Sequence, residues 1–492
     1  MRTIYLLLFV FLCCQCTGGD KENKATQVPE KPNVLFIAID DLNDWLGCMK
    51  GHPNAKTPNI DRLAARGTLF LNAHCQAPIC GPSRASIMTG LRPSTTGIYG
   101  QINDEKIRLA DTSLADIVFL PQYFGQQGYK TMGKGKLFHQ FAPEGVFEEA
   151  GGRQGGFGPK PKQRFKYDPA WFDKPGGTQT DWGAYPETDE EMVDYGTAKW
   201  AIERLQQAHD RPFFLATGFI RPHVPFYAPQ KWFDLHPLDS IQLPPYLPGD
   251  QDDIPEISHR VHDMPMMPTT EWAKETGEWK AIVQAYLACI SFVDHYVGEV
   301  LNALEASPYA DNTIVVLWSD HGYHLGEKNR FAKHSLWEEA SKVPLIIAGP
   351  GLPKNQTCSR PVELLDLYPT LLDLCGLPAN ARNEGKSIQA LLRNPVQDWD
   401  HAALTTYGWG NHALRTEDYR YILFEDGTEE FYDHQADQNE WTNQSGQQHY
   451  QAIKEQLKAQ FPTFNRDWSA ASAEGANDYF NAQQARQWNK SE

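Results

Sequence analysis

Asn33-Val34-Leu35-Phe36-Ile37-Ala38-Ile39 is an unbroken apolar run that stops at Asp40-Asp41. Bounded by Pro32 and two aspartates, it reads as a strand buried on both faces, the kind found in parallel sheets. The pattern recurs. Pro212 to Phe219 runs into Ile220-Arg221-Pro222-His223, Thr313 to Ser319 runs into Asp320-His321-Gly322, and Val343 to Ala348 supplies another buried strand. Leu69 to Ala73 and Tyr129 to Met132 read as shorter strands. Thr57-Pro58-Asn59 opens a helix with an N-cap and a first-turn proline, and Gly67 closes it. Ile117 to Gln127, Glu190 to Gln207 and Glu275 to Leu304 read as further helices. Strands alternating with helices predict an α/β fold with a mainly parallel sheet. Ligands of such sheets bind beyond the carboxyl ends of the strands. Asp40, Asp41, His223, Asp320 and His321 all fall there.

Past residue 395 or so the pattern changes. Ala402 to Thr406, Tyr419 to Phe424 and Glu430 to Tyr432 are short strands with turns such as Asp426-Gly427, followed by a terminal helix over Tyr450 to Gln460. The expected organisation is a main domain over 33–394 and a smaller antiparallel-sheet subdomain over 395–492. Met1 to Cys16 reads as a secretory signal, with Arg2 ahead of the apolar run Ile4 to Leu12, and 17–32 as a polar tether. Cys16-Thr-Gly-Gly-Asp resembles the start of a bacterial lipoprotein, although Gln15 replaces the usual small residue. The expected location is therefore the periplasm or cell surface, with Cys16 a candidate lipid anchor and the only link to a membrane. No later stretch reads as a transmembrane helix.

The chain has 492 residues, 41% hydrophobic and 22% charged, with a net charge of −17. That charge argues against nucleic acid as a partner. It also means that an anionic substrate must be captured by a local basic pocket. Outside the leader six cysteines remain, with no CxxC pair and no zinc-ribbon spacing. If Cys80 is chemically committed, an odd number is left.

Cys80-Gly81-Pro82-Ser83-Arg84 concentrates the chemistry. Pro82 suits a first helical position, so Cys80 would sit at a helix mouth with free N–H groups that hold an anion. Arg84 adds a permanent cation. Alone, such a cysteine reads as a buried structural residue. Asp40-Asp41 and Asp320-His321, at two strand ends, add three carboxylates and an imidazole. Adjacent carboxylates repel unless a cation lies between them, and oxygen-rich ligation favours Ca²⁺ over Zn²⁺.

Cys80-x-Pro82-Ser83-Arg84 followed by Thr89-Gly90 resembles the signature of the formylglycine-dependent sulfatases. Several further segments strengthen the resemblance, most closely to the iduronate-2-sulfatase-like members: Gly135-Lys136-Leu137-Phe138-His139, Arg221-Pro222-His223-Val224-Pro225-Phe226 and Gly326 to Lys333. It spans roughly 31–445 and includes Asp418 to Ile422 and Glu430 to Asp433. It implies an alkaline-phosphatase-like α/β fold with the sheet sandwiched by helices. It also implies a formylglycine made from Cys80 by a formylglycine-generating or sulfatase-maturating enzyme. The metal set would be Asp40, Asp41, Cys80, Asp320 and His321, the histidine standing where many sulfatases have asparagine. Lys136 and Lys333 would contact sulfate with Arg84; Lys134 is the alternative if the register slips by two. His139 would take a proton from the formylglycine hydroxyls and His223 would protonate the leaving oxygen, although their roles could exchange.

The expected reaction is hydrolysis of sulfate esters on a polysaccharide or its oligosaccharides. Candidate substrates are a glycosaminoglycan with 2-sulfated uronic acid, or an algal polymer such as ulvan or fucoidan. The loops Gly151 to Gly183 and Pro244 to Pro268 are where the sugar would be gripped. Two rivals remain: a phosphomonoesterase or phosphodiesterase of the same fold, and a lipid-anchored polysaccharide-binding protein without turnover.

Overall fold

The computed structural model describes residues 31–153, 156–473, 475 and 477–488. The signal, lipid-anchor and most of the tether readings lie outside them. The strands of the main sheet are β1 Asn33–Ile39, β2 Thr68–His74, β3 Lys130–Gly135, β4 Glu149–Gly152, β5 Phe213–Phe219, β6 Thr313–Ser319, β7 Lys342–Ala348, β8 Gln356–Cys358 and β9 Val362–Glu363. Their order is β8-β2-β7-β6-β1-β5-β3-β4, with β9 also on β2. β1 lies in the centre, parallel to β5 and β6. β7 alone among these strands runs antiparallel, to both β6 and β2.

Central position explains the unbroken apolar run. Leu35, Ile37 and Ile39 face one core; Val34, Phe36 and Ala38 face the other. The first face is covered by the helices α1 Pro58–Ala65, α4 Val193–Leu205 and α5 Trp279–Glu305, the second by α2 Cys80–Thr89, α3 Leu120–Gln126 and α6 Leu367–Leu374. By length and composition α5 could cross a membrane, which the sequence reading had not credited; instead it is a core helix, its most apolar window 83% buried. α1 is capped differently from expectation. Thr57 makes no side-chain cap, and the Asp294 carboxylate of α5 accepts the free N–H groups of Asn59 and Ile60 at 3.1 and 2.8 Å.

Register positions the site. Ile39 pairs with Phe219 on one side and Ser319 on the other. The next residues, Asp40, Ile220 and Asp320, therefore leave the sheet side by side. Gly135 pairs with Gly218 one row earlier, and Lys136 follows. Close approach here requires glycine: a Cβ on Gly218 would lie 2.4 Å from the Lys136 carbonyl oxygen.

The second sheet is antiparallel: β10 Ala403–Thr406, β11 His412–Arg415, β12 Tyr419–Leu423 and β13 Glu429–Asp433, in that order. One face (Ala413, Ile422, Tyr432) packs with Ala77, Ile79 and Trp337. The other (Leu414, Tyr421, Phe431) is covered by Leu457 and Phe461, at and beyond the helix Gln451–Lys458. That helix is not terminal: Asp478–Trp488 follows. β11 was not foreseen, because His412 and Arg415 break its apolar pattern; both are buried and hydrogen-bonded, to Thr406 and Glu338. No disulfide joins the described cysteines.

Candidate active site

The helix α2 starts at Cys80, two residues earlier than Pro82 at its first position would require. Pro82 is instead the third residue, still within the turn that needs no N–H. The Ser83 amide donates to the Ile79 carbonyl at 3.2 Å, and the Gly81 amide to Gln101 Oε1 at 2.9 Å. Gly90, in the left-handed region at φ 74°, ends the helix. All ten residues are buried, so the helix carries the thiol into the interior.

Cys80 Sγ lies 3.0 Å from Lys333 Nζ, 3.2 Å from His321 Nε2 and 3.6 Å from Lys136 Nζ. Burial would push its pKa up. Lys136, Lys333 and His321 outweigh burial, with a hydrogen bond from His139, and the thiol falls well below its usual range. A sulfur held as an anion among ammonium groups marks a place where negative charge is stabilised. Lys134 lies outside it, its ammonium reaching the Gly151 carbonyl at the sheet edge, so of the two lysines Lys136 is the one beside the thiol.

Three carboxylates lie behind the thiol. Asp40 binds Arg84 at 3.2 Å and also Lys136. Burial opposes its ionisation, but Lys136 prevails and holds it far below the usual carboxylate range. Asp320 accepts Arg84 Nε at 2.8 Å and the Asp41 amide at 3.1 Å. Arg84 is thus spent on Asp320, Asp40 and the Lys136 carbonyl, and holds carboxylates in place rather than facing the thiol. Asp41 has φ 59°, in the left-handed region that aspartate tolerates better than most residues. Its Oδ1 meets Lys333 at 2.8 Å and His321 at 3.3 Å, while its Oδ2 is buried without a hydrogen-bond partner.

This arrangement fits a hard cation. The ligating atoms of Asp40, Cys80, Asp320 and His321, and those of Asp40, Asp41, Cys80 and His223, lie within 4.8 Å of one another. His321 Nδ1 donates to the Gly322 carbonyl at 3.0 Å, which leaves Nε2 to face the carboxylates. Burial lifts the Asp320 carboxyl to about 7, and, against burial, Asp320 and Cys80 lift the His321 imidazole to about 9. An orphaned carboxylate oxygen beside two further carboxylates and an inward-facing imidazole is a donor set that fits an oxygen-rich cation site.

His223 lies on the open side. Its Nδ1 donates to the Val224 carbonyl at 2.6 Å, and its Nε2 points at Asp41 Oδ2, 3.9 Å away. Burial lowers its pKa. His139 is half-buried, its backbone amide held by Asp104 at 3.1 Å and its Nδ1 unpartnered. Three neighbours were not foreseen. Phe157 stacks on His223 at 4.4 Å and 10° and lies 5.1 Å from Lys136 Nζ. Asp104 also takes the amides of Gln140 and Phe141. Gln101 caps α2. These contacts join distant loops, and no local pattern announces them.

A mainly parallel α/β sheet whose strand ends place three aspartates beside a helix-borne thiol and two lysines is suited to the hydrolysis of anionic esters. The family model described as "Sulfatase" matches residues 32–377, and that described as "N-sulphoglucosamine sulphohydrolase, C-terminal" matches 326–467. The chain is 54% identical to a protein named sulfatase from Formosa agariphila, covering 99% of this chain and 97% of the relative. It is 32% identical to mouse iduronate 2-sulfatase (85% of this chain and 89% of the relative) and 28% identical to an ulvan-active sulfatase of Formosa agariphila (92% and 84%). The chain belongs to the sulfatase family and is a sulfuric ester hydrolase. Its fold is shared with a solved structure in complex with D-glucosamine-2-N,6-O-disulfate (24% identity, TM-score 0.68, 88% and 97%). It is equally shared with a phosphonate monoester hydrolase of Agrobacterium radiobacter (21%, 0.70, 87% and 94%), so fold alone does not choose the ester.

Proposed function

We propose that this sulfatase removes sulfate from a sulfated polysaccharide or its oligosaccharides, with Cys80 converted to formylglycine as nucleophile and Ca²⁺ held by Asp40, Asp41, Asp320 and His321. The observation that carries the reading is the focus of Lys136, Lys333 and His321 on Cys80 Sγ, beside the orphaned Asp41 oxygen. Cys80 Sγ marks the position of the attacking oxygen. Formylglycine at residue 80 would supply a hydrated aldehyde as nucleophile, and Ca²⁺ on the carboxylates would supply positive charge.

The chain's own residues do the rest. Lys136 and Lys333 neutralise the sulfuryl oxygens, and charge stabilisation of this kind is often the largest catalytic contribution. Arg84 orients Asp40 and Asp320. His139 takes the proton that releases sulfate. His223 gives a proton from Nε2 to the leaving sugar oxygen. Burial lowers the pKa of His223, and the negative charge of a sulfate beside it would act in the opposite direction. Phe157 holds the imidazole plane.

The named relatives favour two sugar classes, a sulfated uronic acid of glycosaminoglycan type and ulvan. Export to the periplasm or cell surface, from the signal-like Met1 to Cys16, would bring the enzyme to such polymers. Sulfate release tests the reading, using protein produced with a maturation enzyme and a panel of glycosaminoglycan, ulvan and fucoidan oligosaccharides. Release from one class, lost in Cys80→Ala, is expected. Hydrolysis of phosphate esters with no sulfate released from any sugar would overturn it.

A further inference from the structure

The two loops nominated to grip sugar meet in one cavity of about 470 Å³, lined among others by Trp171, Arg260, Met264, Trp272, Arg330 and Trp337. Trp171 comes from the first loop, Arg260 and Met264 from the second. Arg330 comes from the segment that carries Lys333 to Cys80. Three residues of chain span at most about 11 Å, so the backbone of this wall of the cavity is tied closely to that of Lys333, whose ammonium lies beside Cys80.

Arg330 is the anomaly in it. The side chain is only 9% exposed, yet among the described residues it makes no ion pair. Its donors reach two carbonyl oxygens, of His262 and, at 3.4 Å, of His334, and its buried Nε has no partner. Burial pulls its pKa down to about 10, with Asp263 helping it only at longer range. Its neighbour Lys328 shows the usual arrangement, paired with Asp250 at 3.2 Å. An isolated guanidinium is costly to bury unless something anionic pairs with it. A planar fork of donors beside indole rings suits a carboxylate or sulfate on a sugar ring.

Building on the proposed action on sulfated sugars, we propose that this cavity is a second, non-catalytic subsite in which Arg330 pairs with an anionic group on a sugar neighbouring the one that is desulfated. The wall of Trp272 supports the apolar face of that ring, and Arg260 guards the rim. This gives a chain of net charge −17 the local basic capture that a polyanionic substrate requires.

Binding tests this without turnover. Calorimetry would use Cys80→Ala protein with sulfated, uronate-bearing tetrasaccharides of glycosaminoglycan and ulvan type. Adding Arg330→Met is expected to weaken binding at least tenfold without lowering the melting temperature. Adding Trp272→Ala, which leaves Arg330 in place, is expected to weaken it severalfold. Carboxyl-reduced tetrasaccharides that lose the Arg330 dependence would identify a carboxylate; those that keep it would identify a sulfate. Unchanged affinity in Arg330→Met overturns the subsite, as does unchanged affinity in Trp272→Ala if Arg330→Met fails to fold, and as does absence of binding altogether. The sulfatase reading fails separately: Arg330-dependent binding with no sulfate released by the matured wild type would keep the subsite and discard the reaction.

Discussion

Two buried clusters of carboxylates and histidine lie in this protein, and they look alike until their partners are counted. One is Asp40, Asp41, Asp320 and His321 at the strand ends. The other is Glu338, His434 and Glu440, where the small sheet meets the large one. In the second, Arg415 and Arg420 both bind Glu338, and Arg420 also binds Glu440. His434 accepts from Arg415 on Nδ1 at 2.8 Å and so donates from Nε2 to Glu440 at 2.9 Å, with no lone pair left. Against burial, the arginines hold Glu338 well below the usual range and Arg420 and His434 bring Glu440 to about 2. In the first cluster Asp41 keeps an unpartnered oxygen, Asp320 a raised pKa, and His321 an Nε2 aimed inward. Buried carboxylates alone do not make a metal site. What sets the first cluster apart is the unpartnered Asp41 oxygen and the inward-facing His321 Nε2.

The sharpest way to break this comparison is to cut into each cluster and read both activity and stability. Asp41→Asn is expected to lower sulfate release at least about 1,000-fold, equivalent to about 4 kcal/mol of transition-state stabilisation. Arg420→Met acts the other way. It strands Glu338 and Glu440 in the interior and should cost about 3–5 kcal/mol in denaturant unfolding, while folded molecules keep their turnover. A loss of turnover without destabilisation in Arg420→Met would mean that the two clusters are not separate in function.

Acid separates them next. The folded-state pKa of Glu440, about 2, lies below its ordinary 4.5. The unfolded chain therefore binds more protons in that window, and stability falls as pH falls. The contribution is complete above pH 4.5 and lost through about 2. It amounts to on the order of 3 kcal/mol and should shrink in Arg420→Met, read from unfolding midpoints across that range. Calcium gives a comparable effect on the other cluster. At a free concentration about 100 times the dissociation constant it should stabilise the wild type by about 2.7 kcal/mol, and Asp41→Asn by much less. The smallest effect belongs to His434→Gln: about 1 kcal/mol for the altered hydrogen bonds, with turnover untouched.

What was legible in the sequence follows from the same physics. β1 and β6 are buried on both faces, so their apolar runs are continuous and end where the aspartates begin. The strand ends thus pointed at Asp40, Asp41, Asp320 and His321 before any resemblance was invoked. Lys136, Lys333 and His139 needed the resemblance, because an isolated lysine or histidine has no local signature. Gln101, Asp104, Phe157 and Asp294 were not legible, since each acts on a residue far away in the chain. β11 was hidden because its buried His412 and Arg415 satisfy themselves across space, with Thr406 and Glu338. The Arg330 cavity was hidden for the opposite reason: its meaning lies in a partner that is missing, and only packing shows that.

Metal content tests the central distinction most directly. Protein dialysed against calcium and then desalted would be measured for bound calcium per chain in wild type, Asp41→Asn and His434→Gln. One calcium in wild type and His434→Gln, and none in Asp41→Asn, is the result expected. Calcium retained by Asp41→Asn but lost from His434→Gln would place the ion in the other cluster and contradict the account.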